Sequence, residues 1–257
     1  MIQETDQITR AWQESPAAQV PPGEVILVTD FDGTLAEIVP DPAGAHARTD
    51  ALEALQELVT LLADVIVLSS RTPAQLENLV PISGARLIGD SGLAIPRKAQ
   101  REALDRFNAQ TSKLLERIPG AWLEVKPAST AIHFRNTEFN GEQMLAMLRT
   151  CLDGERLEAA LGRKVVEVHA PKSGKGSALA ALLPSMDPGG VVCFGDDEND
   201  RSMFETVSSL DIPHMSVGVW SPEAPKDLFD RCDLVVQGPE GATAVLNEIV
   251  EWARASS

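Results

Sequence analysis

The chain of 257 residues predicts an α/β fold, with a Rossmann-like parallel-sheet core and a smaller α+β cap inserted into it. Three observations carry this expectation. Short apolar runs that stop abruptly at polar residues alternate with segments of helical apolar spacing, the rhythm of a parallel sheet with right-handed crossovers. The first run, Val25 to Val28, leads straight into Thr29, Asp30, Phe31, Asp32, Gly33 and Thr34. Between about 96 and 173 the alternation gives way to a block with a different order of elements, and then it resumes.

Taken in order, residues 1–23 end in the breaker cluster Pro21-Pro22-Gly23 and read as a short surface helix or a tail. The uninterrupted Val/Ile/Leu run over 25–30 is a buried strand. Apolar spacing over 51–62 gives a helix, with Asp50 as its N-cap. ADVIVLSSR is the second strand, and Thr72-Pro73 opens a helix with Pro in the first turn. ARLIGDSG is the third strand. The interrupting block reads as a charged helix (99–117), an antiparallel hairpin of AWLEVKP and STAIHFRN joined through Pro127, a helix near 141–152, and the strand KVVEVHA. The parallel rhythm returns with a helix at 174–183, the strand GVVCFGDD, a helix near 198–207, HMSVGV, DLVV and a final helix from about 241. The core is therefore expected over 24–95 and 174–257, with the cap over 96–173.

A formal charge of −16 excludes nucleic acid and anionic membrane surfaces as partners, while a small anionic substrate is compatible with a local cluster of Lys and Arg. Three widely spaced cysteines suit a reducing compartment. With no long apolar span and a polar N-terminus, the sequence reads as cytoplasmic. A monomer is compatible with the sequence.

Ligands of open α/β sheets bind beyond the carboxyl ends of the strands. Four polar clusters fall at such ends: Asp30 with Asp32, Ser69 with Ser70 and Arg71, Asp90 with Ser91, and Asp196 with Asp197 and Asp200. Lys175 opens a helix after SGKG. Adjacent strands would bring Asp30 to Asp196, and several carboxylates at one point call for a hard divalent cation, most simply Mg²⁺. A metal beside a nucleophilic carboxylate suggests phosphoryl transfer, with Ser69 or Thr34 donating to phosphate oxygens and Lys175 neutralising charge. Asp-Gly is also ordinary turn chemistry, and the alternating polar face of the cap is also what any half-exposed sheet shows. Arg71 is assigned to the support of its loop or a neighbouring carboxylate, Trp122 and Phe134 to packing, and His46, His169 and His214 to structural or surface roles.

DFDGT, the Ser-ended second strand, SGKG and GDDEND resemble, in order, the four motifs of the haloacid dehalogenase (HAD) superfamily. The resemblance implies Asp30 as nucleophile, Asp32 as general acid/base, and Ser69 and Lys175 as phosphate ligands. It further implies a Mg²⁺ site built from Asp30, the Asp32 backbone carbonyl and Asp196, with Asp197 and Asp200 in support. A narrower resemblance, to the trehalose-6-phosphate phosphatase family, rests on DFDGTLAEIVPDP, LSSR, KPASTAIHFR, KVVEVHAPKSGKG and GDDENDRSMF. It implies that Lys126, Ser129, His133, Arg135 and Glu167 form a sugar-recognising face on the cap, and that the substrate is a small sugar phosphate. The chain departs from that family's pattern at Ser70, Ser91, Asn199 and Arg201. Phosphatases of other glycosyl or disaccharide phosphates, a phosphoglycomutase-like transferase and a non-catalytic regulatory module are the competing expectations.

Overall fold

The computed structural model describes residues 5–93, 98–154, 156–171 and 174–256. The expected core–cap boundary at 95–96 and Ser173 of the SGKG motif lie outside them. In chain order the elements are α1 (Thr5–Glu14), β1 (Val25–Thr29), α2 (Thr49–Leu61), β2 (Asp64–Leu68), α3 (Pro73–Leu79) and β3 (Arg86–Ile88). Then come α4 (Lys98–Leu115), β4 (Trp122–Val125), β5 (Ser129–His133), α5 (Gly141–Leu148), β6 (Glu158–Gly162) and β7 (Val165–His169). The last set is α6 (Lys175–Leu182), β8 (Gly190–Gly195), α7 (Arg201–Ser208), β9 (His214–Trp220), β10 (Leu234–Gln237) and α8 (Gly238–Ala255).

Six strands form one parallel sheet in the order β10-β9-β8-β1-β2-β3. The chain winds outward from β1 in one direction through β2 and β3, and from β8 in the other through β9 and β10. The β1/β8 junction is thus the switch point, where the strand order reverses and a crevice opens at the carboxyl ends. Successive residues of β1 feed opposite faces. Val25 and Leu27 join the core under α1, α2 and α8, whereas Ile26 and Val28 join the core under α6 and α7. Burial on both faces is why β1 and β8 are almost wholly apolar.

The second sheet is antiparallel, ordered β4-β5-β7-β6, and packs one face on α4 and α5 around Phe107, Ile132, Met144 and Val166. Its other face carries Trp122, Glu124, Lys126, Ser129, His133 and Glu167 in alternation.

Two expectations change. The run EAALG, rich in helix-favouring Ala and Leu, forms β6, which the sequence reading missed; its pairing with β7 overrides local propensity. Helix α2 starts at Thr49, so Asp50 lies in its first turn and accepts hydrogen bonds from the Arg48 guanidinium at 2.8 and 3.0 Å instead of capping. Of the two readings of residues 1–23, the helix is the one that forms: α1 docks through Trp12, which is fully buried and meets Trp252 of α8 edge-on, with ring centroids 5.0 Å apart. Thr72, by contrast, caps α3 through a reciprocal box with Gln75.

Candidate active site

The switch point assembles the site. Asp30 directly follows β1, and its backbone N–H donates to the Phe194 carbonyl of β8 at 3.0 Å, so Asp30 sits beside the Asp196 end of the neighbouring strand. Asp30, Asp196 and Asp200 each present a carboxylate oxygen within 4.8 Å of the others, and all three are buried. Gly33, at φ +83°, turns the chain over this cluster: a Cβ there would stand 2.0 Å from Asp196 Oδ2, so the close approach requires glycine.

Lys175 is the cation at the bottom. Its Nζ lies 2.8 Å from Asp30 Oδ1 and 2.6 Å from Asp200 Oδ1, with the side chain fully enclosed. Burial alone would lower its pKa, but the charges of Asp200 and Asp30 hold the ammonium well above its usual range. Asp200 also accepts the backbone N–H groups of Asp196 and Asp197, at 2.9 and 3.1 Å, which fixes the turn after β8. Burial pushes the Asp30 carboxyl up to about 7, against the pull of Lys175. Burial, then the charges of Asp200 and Asp30, raise Asp196 well above the carboxylate range.

The donor set fits a hard divalent ion: oxygen ligands only, from three buried carboxylates, two of them with raised pKa values. The Arg163 guanidinium from the β6–β7 turn pairs with Asp196 Oδ2 at 2.7 Å, so the cap supplies positive charge to the core cluster.

The other expected residues divide. Arg71 forks onto Asp32 at 2.8 and 2.6 Å, consistent with support of a neighbouring carboxylate. Thr34 turns its hydroxyl toward Asp196 Oδ1 at 3.4 Å, and Ser69 is buried at the end of β2, its Oγ accepting the Arg71 N–H at 3.3 Å. Asp197 does not join the three-carboxylate cluster. It accepts the backbone N–H of Arg163 at 2.6 Å and that of Glu198 at 2.7 Å, so it ties the cap turn to the core.

On the cap, Lys126 donates to the Ser70 carbonyl at 2.8 Å and lies 3.5 Å from Glu167, which also accepts from Ser129 at 2.8 Å. His133 pairs with Glu124 at 2.9 Å, a contact that lowers the Glu124 pKa. Arg135 reaches the Arg163 carbonyl at 3.3 Å and approaches Glu223 of the core to 3.6 Å. Lys126, His133 and Arg135 line one cleft together with Asp30, Asp32 and Asp196. Glu167 instead borders the adjoining cleft, beside Lys175 and Ser91. Ser91 and Asp90 both have positive φ, 55° and 51°, and both carry a buried oxygen without a hydrogen-bond partner. Arg201 is engaged by Glu198 at 2.6 and 2.8 Å and by Asp227 at 2.9 Å.

Three cleft residues escaped the sequence reading. Glu124 and Trp122 carried a usable signal, since they share the strand face of Lys126 at a spacing of two. Trp122, assigned to packing, is 46% exposed in the cleft, whereas Phe134 is buried as expected. Arg163 gave no signal, because the hairpin that presents it includes the missed strand β6.

The parallel core, the antiparallel cap and this acid–lysine cluster define a HAD-type phosphatase fold. The profile of the family described as Trehalose-phosphatase matches residues 28–227, and the chain belongs to that family. It is 27% identical to a protein described as probable trehalose-phosphate phosphatase 4 of Oryza sativa subsp. japonica, over 95% of this chain and 71% of the rice protein. To the trehalose-phosphate phosphatase of Mycobacterium ulcerans it is 31% identical, over 69% of this chain but only 50% of that protein. The C-terminal domain of Candida albicans trehalose-6-phosphate phosphatase superposes with a TM-score of 0.72 at 19% identity, covering 97% of both chains. Among the described residues, no helix is long and apolar enough to cross a membrane.

Proposed function

We propose that this protein is a Mg²⁺-dependent phosphatase that hydrolyses trehalose 6-phosphate to trehalose and inorganic phosphate through an aspartyl-phosphate on Asp30. The observation that carries the reading is the meeting of Asp30, Asp196, Asp200 and Lys175 at the switch point, under a cap face lined with hydrogen-bonding side chains.

Asp30, Asp196 and Asp200 would hold the ion, which when bound neutralises phosphate charge and so lets an anionic nucleophile approach. Lys175 keeps Asp30 oriented and offsets the phosphoryl charge from below. Asp30 attacks phosphorus, and the bond to the sugar oxygen breaks. Asp32 gives that leaving oxygen a proton, then takes one from the water that cleaves the aspartyl-phosphate. Arg71 fixes the position of Asp32 for both transfers. The cap closes on the core through Lys126–Ser70 and Arg163–Asp197, excluding bulk water, and Lys126, His133, Glu124 and Arg135 meet the sugar hydroxyls.

The test is phosphate release across a panel of sugar phosphates, with and without Mg²⁺. Metal-dependent release with a preference for trehalose 6-phosphate is expected, and Asp30→Asn should abolish it while leaving the circular dichroism spectrum unchanged. Preference for another glycosyl phosphate would overturn the substrate, and isomer formation without phosphate would indicate a mutase. Silence across the panel would indicate a regulatory module.

A further inference from the structure

We propose that Trp122 is a sugar-stacking platform that binds the hexose ring remote from the phosphate, and so makes the site selective for a disaccharide phosphate over a monosaccharide phosphate. This deepens the phosphatase reading above and rests on it.

Trp122 lies directly opposite His133 in the β4–β5 register, and the two rings stack with centroids 3.9 Å apart and planes 10° apart. His133 is itself held by Glu124 at 2.9 Å. The indole is therefore fixed on one side before any ligand arrives, while 46% of the residue stays accessible. A tryptophan that served packing alone would be covered, as Phe134 just past β5 is at 1%. The other large exposed apolar residue of this sheet, Val125, alternates onto the opposite face and does not line the cleft.

The surroundings suit one face of a pyranose. Across the cleft stand Ile38, Val39, Pro40 and Pro42 of the loop after β1, a loop pinned by the Arg71 guanidinium donating to the Pro42 carbonyl at 2.7 Å. A pyranose presents C–H groups on its faces and hydroxyls at its rim. The cleft offers the matching pattern, with an aromatic surface and an apolar wall flanked by Glu124, Arg135 and Lys164. Position along the strand assigns the ring. Lys126 reaches the Ser70 carbonyl at the phosphate end, and Trp122 precedes it by four residues, about 13 Å of extended strand. That distance leaves room for a second ring beyond the phosphorylated one.

The experiment compares wild type, Trp122→Ala and Trp122→Phe on trehalose 6-phosphate, glucose 6-phosphate and p-nitrophenyl phosphate. Trp122→Ala should lose about tenfold in kcat/KM on the disaccharide, mostly in KM, the size of an aromatic contact. It should change little on the other two substrates, and Trp122→Phe should recover most of the loss. Free trehalose should shift the tryptophan emission of the wild type and not that of Trp122→Ala. A wild type active on trehalose 6-phosphate, with Trp122→Ala equally active or equally impaired on all three substrates, overturns the platform alone. A wild type inactive on trehalose 6-phosphate overturns the substrate reading and the platform with it.

Discussion

Arg71 holds both carboxylate oxygens of Asp32, with Nε 2.8 Å from one and Nη2 2.6 Å from the other. The same guanidinium donates to the Pro42 carbonyl at 2.7 Å, so one side chain sets the proposed acid/base and one wall of the cleft together. A lysine has no planar fork and could not hold both oxygens. Arg71→Lys is expected to lower kcat by about 10–100-fold, part of what a positioned general acid contributes, with KM moving less. Steady-state kinetics on p-nitrophenyl phosphate check this, and a pure KM effect would separate Arg71 from proton transfer.

Protonation of Asp30 links metal binding to pH. Its folded pKa of about 7 lies above the ordinary carboxyl value near 3.8, chiefly through burial. The stability this gives the metal-free protein is complete below about pH 4 and is lost as pH rises through about 7. Asp196 and Asp197 are raised by burial too and act in the same direction. In chelator, the Tm should therefore fall between pH 6 and pH 8. A divalent ion needs the ionised carboxylates, so the Tm gain on adding Mg²⁺ should be larger at pH 8 than at pH 6. Differential scanning fluorimetry measures both, and a gain independent of pH would contradict the assignment of Asp30 and Asp196 to the metal.

Lys175 is enclosed between two acids, so its removal leaves buried negative charge without a partner. Lys175→Met should cost about 3–5 kcal/mol in urea unfolding of the metal-free protein, and should abolish turnover. Because added Mg²⁺ supplies positive charge to the same carboxylates, it should recover part of the lost stability and none of the activity. A variant as stable as wild type in chelator would show that the buried ion pairs are not formed.

Arg135 lines the cleft from the cap and touches the core only loosely, 3.6 Å from Glu223. Arg135→Ala should raise KM for trehalose 6-phosphate about tenfold or more, as expected for the loss of a charge-assisted hydrogen bond. KM for p-nitrophenyl phosphate, which has no sugar hydroxyls, should hardly move. Equal effects on the two substrates would remove Arg135 from sugar recognition.

Much of the core could be read from local pattern. β1 and β8 announce themselves because both faces are buried and no polar residue interrupts them. Asp30 and Asp196 stand out because they follow those strands, and Lys175 because it opens α6. β6 was not legible: Glu158–Gly162 has the composition of a helix, and only pairing with β7 makes it extended. Arg163 was hidden with it. Helix α1 read as peripheral, since ten mostly polar residues do not announce that Trp12 will be enclosed by α8 from the far end of the chain.

By itself, the sequence determined that this is a parallel α/β chain with acids at its strand ends and an interrupting α+β block, because strand and helix periodicities and turn chemistry are local properties. Tertiary structure alone decided which acids share one point, that Asp197 faces the Arg163 backbone instead of the carboxylate cluster, and that Trp122 opens onto the cleft. Those facts depend on which strands lie side by side and on how the cap seats over them, and neither is encoded within any short stretch of residues.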